Sequence, residues 1–263
     1  YLQKLLENNV SFETVSEINS AENLIVSLSN AKIRLISENK LMDKKDKHVY
    51  PVQNTPFEIH KDWLWCYLSD ISIIQEGPGI RKYQYKSEGI QFLTVTNILE
   101  GSVDLNKSKK YISKSEYANK YEHFTINKGD IVTACSGGSW GKSAVYNFDD
   151  KIILNTSTLR LRFYNDLGCN KYLYYLTKTA YFKNNLSSHL TGQQPNYGYS
   201  HYSKIPIPVP PLIKQKHIAR KLDILLCQTK KLEAMYIQKI ADLEEMKKSV
   251  LQKAFSGQLN TIN

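Results

Sequence analysis

Two polar stretches carry side chains of the kinds that read nucleic acid. Arg81-Lys82-Tyr83-Gln84-Tyr85-Lys86 interleaves cations with aromatic rings, and Thr191-Gly192-Gln193-Gln194-Pro195-Asn196-Tyr197 places amides on a loop. Lysine and arginine suit phosphates or guanine, whereas glutamine and asparagine suit the adenine edge in the major groove. The candidate DNA contacts from these runs are Arg81, Lys82, Tyr83, Gln84, Tyr85, Lys86, Thr191, Gln193, Gln194 and Asn196. Taken singly, each run reads equally well as an ordinary surface loop. A third run, Gly137-Gly138-Ser139-Trp140-Gly141-Lys142-Ser143, invites a phosphate-loop reading, but that pattern requires glycine where Ser136 stands. The expected structure is a tight turn between two strands, its small residues letting backbone approach a ligand such as a phosphate. Ser136, Ser139, Trp140 and Lys142 join the candidates.

Catalytic constellations are not assembled in this sequence. Asp149-Asp150-Lys151 and Glu38-Asn39-Lys40 are scraps of nuclease metal motifs, and such triplets are ordinarily solvated turns. The six histidines, among them His60, His123, His189 and His201, are scattered, so no nucleophile–base–orienter set can be proposed. No Asn/Asp-Pro-Pro-aromatic motif of an amino-methyltransferase occurs. Cys66, Cys135, Cys169 and Cys227 lack C-x-x-C or zinc spacing, which points to free thiols in a reducing compartment. The expectation is a protein without catalysis, metal or cofactor of its own, and a cytoplasmic location.

The elements that must position these residues follow from pattern. The chain has 263 residues and a formal net charge of +10, and no run approaches the ~18 apolar residues a membrane span needs. Residues 1–56 are electrically balanced; the excess is carried by residues 57–210 and 211–263. Basic surfaces attract polyanions because neutralised phosphates release condensed counterions. In residues 1–56, Ser20 is a helix cap before Leu24, Ile25, Leu28, Ala31, Leu35 and Ile36 at helical spacing, and Asp43–Lys47 with Pro51 and Pro56 reads as a linker. Residues 57–210 alternate short apolar runs with Gly, Asn and Lys clusters: strands are expected at Trp63–Leu68, Ile90–Ile98, Asp130–Ala134, Ser143–Tyr146, Ile152–Leu154 and Leu159–Phe163. A helix is expected over Tyr172–Leu186, and Ile205–Pro211 must be extended because of its prolines. From Ile213 to Gly257 a heptad pattern runs through Ile218, Leu222, Leu225, Thr229, Leu232, Tyr236, Lys239, Leu243, Met246 and Val250. The fold class is α+β: a mixed α/β domain followed by a long C-terminal coiled-coil helix. Its dimer or partner face is Ile218, Leu222, Leu225, Leu232, Tyr236, Leu243, Met246 and Val250.

Several stretches together resemble the specificity subunits of type I restriction–modification systems. Pro56-Phe57-Glu58-Ile59-His60-Lys61-Asp62-Trp63-Leu64-Trp65 and Leu68-Ser69-Asp70-Ile71 are similar to the start of that family's target-recognition domain. Gly89-Ile90-Gln91-Phe92-Leu93-Thr94-Val95-Thr96-Asn97-Ile98 resembles its glycine–strand–Asn-Ile segment, with Gln91 where proline is common and Thr94 where a basic residue is common. Thr94, Thr96 and Asn97 complete the candidate DNA contacts. Lys128-Gly129-Asp130-Ile131-Val132 leads into the Gly141-Lys142 turn in the same style. The most specific set is Ile205-Pro206-Ile207-Pro208-Val209-Pro210-Pro211-Leu212, Gln215-Lys216-His217-Ile218 and Val250-Leu251-Gln252-Lys253-Ala254-Phe255-Ser256-Gly257-Gln258-Leu259. The resemblance covers about residues 50–260.

The resemblance implies an N-terminal helical segment and linker (1–56), a DNA-binding target-recognition domain (57–210) and a spacer and dimerisation helix (211–263). It implies a subunit that directs partner methyltransferase subunits, and a restriction or motor subunit, to a bipartite target on double-stranded DNA. S-adenosylmethionine, ATP and Mg would be bound by those partners. Full-length members carry two recognition domains and two helices. With one of each, this chain is expected to be a half-subunit that homodimerises through its helix, or part of a longer specificity protein or single-chain restriction–methyltransferase. A reading of another class is a coiled-coil scaffold that binds protein. The target bases are not legible, since they depend on loop geometry.

Overall fold

The computed structural model describes residues 20–46, 48, 52, 55, 57–188 and 195–258. In chain order these form α1 (Ala21–Ser37), β1 (Leu64–Tyr67), β2 (Ser72–Glu76), β3 (Ile90–Phe92), β4 (Tyr111–Ile112), β5 (Thr125–Ile126), β6 (Ile131–Ala134) and β7 (Ser143–Val145). Then come β8 (Ile152–Ile153), β9 (Thr158–Phe163), α2 (Asn170–Lys178), α3 (Ala180–Ser187), β10 (Pro206–Val209) and α4 (Leu212–Phe255). The chain is a mixed helix-and-sheet protein with a long C-terminal helix. It divides into two compact units, residues 1–219 and 220–263.

In the first unit, β2-β9-β6-β7 form an antiparallel sheet, β4-β3-β8-β5 a mixed one in which β3 and β8 run parallel, and β1-β10 a two-stranded ribbon. Strand periodicity distributes the cores. Ile131 of β6 joins the large cluster with Leu24, Ile25 and Leu28 of α1 and Leu173 of α2, whereas Val132 and Ala134 join Leu93, Ile126 and Ile152 of the second sheet. Ser20 caps α1 as expected, its hydroxyl accepting from the Asn23 N–H at 3.1 Å.

Two expected elements are divided. The strand expected over Ile90–Ile98 stops at Phe92 and gives way to a single 3-10 turn at Val95–Asn97. The reason is the Asn97 carboxamide, which bonds the Thr94 N–H and folds the chain back. The helix expected over Tyr172–Leu186 breaks at Thr179, whose extended backbone frees its hydroxyl to accept from the Phe182 N–H and start α3. β2, β4 and β5 have no counterpart among the expected strands. The proline run at 205–211 is extended as required: β10 pairs with β1, and the Pro208 carbonyl accepts from the Tyr172 hydroxyl at 2.7 Å.

The start of α4 is fixed by Gln215, which is fully buried. Its oxygen accepts from the Cys169 N–H and its amide donates to the Pro210 carbonyl, both at 2.9 Å. Leu212 and Ala219 are buried beside it. In the second unit, α4 continues with Leu225, Leu232, Tyr236, Leu243, Met246 and Val250 all exposed. Its 44 residues correspond to a rod of about 66 Å.

Candidate nucleic-acid interface

The register of the first sheet brings four connections to one end. Glu76 closes β2 opposite Leu159, near the start of β9, and Ala134 closes β6 opposite Thr158. Thr133 pairs with Ser143, where β7 begins. Residues 77–78, 135–142, 154–157 and 195–198 therefore meet there. Backbone hydrogen bonds lace them together: Gly77 N–H to the Thr158 carbonyl, Cys135 N–H to Ser157, Gly137 N–H to Pro195 and Tyr197 N–H to Cys135, at 2.8–3.1 Å. The Thr156 hydroxyl adds a bond to the Pro78 carbonyl.

The turn at 137–139 is the tight connection anticipated between two strands. Gly137 takes a positive φ of 62°, which a residue with a Cβ adopts only at a cost. Gly77 is required for another reason: a Cβ there would lie 2.1 Å from the Asn155 carbonyl oxygen. Ser136 and Asn196 form a β-bridge, and the Trp140 and Tyr197 rings pack with centroids 5.2 Å apart. Two stretches far apart in sequence thus become one surface.

The groups offered to solvent there are cationic, aromatic and amide. Asn196 is exposed and Ser136, Ser139, Trp140 and Lys142 are half-buried; Arg81, Lys82 and Tyr83, further along the chain from the Gly77-Pro78 turn, are exposed too. Glu76 is the opposing carboxylate, and it accepts from the Tyr199 N–H. Burial pushes the Cys135 thiol up to about 12, so it stays protonated and unreactive beneath the turn. No group of three His, Cys, Asp or Glu among the described residues could hold a metal.

A family model described as the type I restriction modification DNA specificity domain matches residues 60–242. The chain belongs to this family. It is 27% identical over 213 residues to the type I restriction enzyme MjaVIII specificity subunit of Methanocaldococcus jannaschii, an alignment covering 78% of this chain and 48% of that subunit. A chain from work on complex assembly and conformational transition of the type I R-M system shares the fold with a TM-score of 0.63 at 18% identity, over 98% of this chain and 58% of that one. The HsdS subunit from Thermoanaerobacter tengcongensis gives 0.56 at 18% identity, over 98% and 57%. This specificity-domain chain spans about half the length of the curated relative it matches.

Within the specificity domain, not every expected contact faces outward. Asn97 is fully buried. Its amide donates to the Asp104 and Ser108 carbonyls at 2.8 and 3.1 Å, and its oxygen accepts from the Thr94 N–H and hydroxyl at 3.0 and 2.8 Å. Gln84 is buried too, donating to Glu116 and the Tyr121 hydroxyl at 3.0 Å and accepting from the Arg81 N–H. Both are corrected from DNA contacts to internal struts, because all their bonding groups are taken. Asn97→Ala is expected to cost about 1–3 kcal/mol for the polar groups it strands and to leave sequence preference unchanged. Urea denaturation and a duplex competition series check this; altered preference at unaltered stability would restore it to the reading surface.

Thr94 and Thr96 flank Asn97 after β3, on the second sheet rather than with the converging loops. Tyr85 is half-buried against Phe92, and Lys86 is exposed. Thr191, Gln193 and Gln194 lie outside the described residues. Residue type alone does not reveal the contributions of Glu76, Pro78, Thr156 and Tyr197. The Gly77-Pro78-Gly79 turn signal could have pointed to the first two; the others depend on strand pairing.

Proposed function

We propose that this chain is a sequence-reading subunit of a type I restriction–modification assembly, binding duplex DNA with the loops at the end of the first sheet. The observation that carries it is the meeting of the Ser136–Lys142 turn, the Gly77-Pro78 turn and Asn196 at one end of the first sheet of a specificity-domain fold, with the exposed Arg81–Lys82 run following Pro78 in the chain. Phosphate contacts hold register while amides and cations at loop tips read base edges. In this reading α4 joins the chain to a second copy or to methyltransferase subunits, and catalysis belongs to those partners, which would also bind S-adenosylmethionine, ATP and Mg. The target is bipartite.

Binding of mixed-sequence and host-derived duplexes across a range of salt tests this. Arg81→Ala with Lys82→Ala is expected to weaken all duplexes alike and to flatten the salt slope by about 1 for each phosphate no longer neutralised. Asn196→Ala is expected to cost about 1–3 kcal/mol on the preferred sequence alone, the range for removing one base-edge pairing. The purified chain should neither methylate nor cleave DNA when supplied with S-adenosylmethionine, Mg and ATP. Salt-independent binding, or activity that co-purifies with the chain, would overturn the assignment.

A further inference from the structure

Beside the converging loops, a second small core carries a set of lysines. Ile80, Phe92, Ile112, Tyr117 and Ile153 form this core, with Tyr85 packed against it. Lys110 lies over the Tyr85 ring with its ammonium 5.3 Å from the centroid, and Lys151 lies over Tyr117 at 5.0 Å. Lys86 is tied to β4 by its backbone bond to the Tyr111 carbonyl. Lys86 and Lys120 both act on the Glu116 carboxylate, whose oxygens are held first by the Gln84 amide and then by the Ser113 hydroxyl. All four lysines are exposed.

An ammonium over an aromatic face is positioned without being neutralised, and its stem is already ordered. Lys86 and Lys120 lie in the field of the Glu116 carboxylate, whose bonds from Gln84 and Ser113 leave its charge in place, whereas Lys110 and Lys151 are the pair held over aromatic rings. Asp149 is bridged to Lys128 at 2.9 Å. Two ammoniums held over neighbouring aromatic faces, on an exposed surface, suit phosphates spread along a backbone. The face also continues from the reading loops, because Gln84 bonds the Arg81 N–H on one side and Glu116 on the other.

We propose that Lys110 and Lys151 form a phosphate-tracking face that grips the duplex backbone beside the reading loops and adds affinity without sequence preference. This rests on the DNA-reading function proposed above. Each phosphate neutralised steepens the dependence of log affinity on log salt by about 0.9.

The test compares the full chain with its Lys110→Gln/Lys151→Gln and Lys247→Gln/Lys248→Gln variants on preferred and mixed-sequence duplexes over a salt series. Both pairs remove equal charge from exposed positions. The expected result is a slope shallower by about 1.8 for the first pair, with equal weakening on both duplexes and an unchanged preference ratio, and an unchanged slope for the second. A thermal melt confirms that all three are folded. If the parent binds with a steep slope and Lys110→Gln/Lys151→Gln matches it, or if both pairs shift the slope equally, the phosphate-tracking face is wrong while the reading function stands. If the parent shows no salt-dependent binding, both fall together.

Discussion

If α4 pairs two copies of the chain, Leu225→Asp combined with Leu232→Asp is expected to leave it monomeric and to remove the proposed sequence-specific binding with it. Both leucines are more than half exposed on α4, in line with Tyr236, Leu243, Met246 and Val250. Burying a leucine side chain is worth roughly 1.5–3 kcal/mol, and a closed pair with two-fold symmetry buries each position twice. The double substitution also sets carboxylates into that seam, where desolvation opposes them. Two copies in an antiparallel pair would read the same short sequence on opposite strands, so the expected target is an interrupted palindrome. Its gap is one that a rod of about 66 Å can span. Sedimentation velocity should show dimer for the parent and monomer for the variant, with loss of palindrome-selective binding. A parent that is strictly monomeric without methyltransferase subunits, or that reads an asymmetric target alone, defeats the symmetric arrangement.

The second large effect is on stability. Asp130 is fully buried, pairs with Arg160 and Arg162 at 3.3 and 3.0 Å, and accepts from the Asn127 N–H at 2.8 Å. Arg160 also donates to the Thr125 carbonyl of β5, so this one carboxylate fastens β6 and β9 of the first sheet to the second. Burial holds the Arg160 guanidinium below its usual range despite that carboxylate. Asp130→Ala leaves two guanidinium groups facing each other, one of them largely desolvated, and is expected to cost about 3–5 kcal/mol. Urea titration by tryptophan fluorescence reads the destabilisation. A change below about 1 kcal/mol, the range of an exposed ion pair, would show that water compensates the arginines.

Much of this architecture was legible because its causes are local. Ser20 before Leu24, Ile25 and Leu28 specifies a capped amphipathic helix, and the prolines of 206–211 forbid helix where β10 is found. The helix at 212–255 follows from its heptads. Two-residue strands such as β4 and β5 carry too little sequence to show a period, and they exist because β3 and β8 lie beside them. The candidate site divides in the same way. Residue types mark Arg81, Trp140 and Asn196 as suited to DNA, but nothing local distinguishes them from Gln84 and Asn97. The burial of those two amides is decided by Tyr121, Glu116 and Ser108, residues distant in sequence. Likewise, the bridge between Ser136 and Asn196 is visible only once β6 is paired.

The loops at the sheet end are joined to one another mainly through main-chain groups: Gly77 to Thr158, Cys135 to Ser157, Gly137 to Pro195 and Tyr197 to Cys135. Peptide groups are common to every residue except proline on the donor side, so this lacing is indifferent to which side chains it carries. Arg81, Ser139 and Asn196 contribute no side chain to this lacing and are therefore free to vary together, whereas Trp140 is held by Tyr197 and the core. If the loops read DNA as proposed, such a frame lets one target be exchanged for another through a few surface substitutions at little cost in folding. A library randomised at Arg81, Ser139 and Asn196 and sorted for folded members should retain most of its diversity, whereas one randomised at Gly77, Gln84, Asn97 and Asp130 should collapse toward the parental residues.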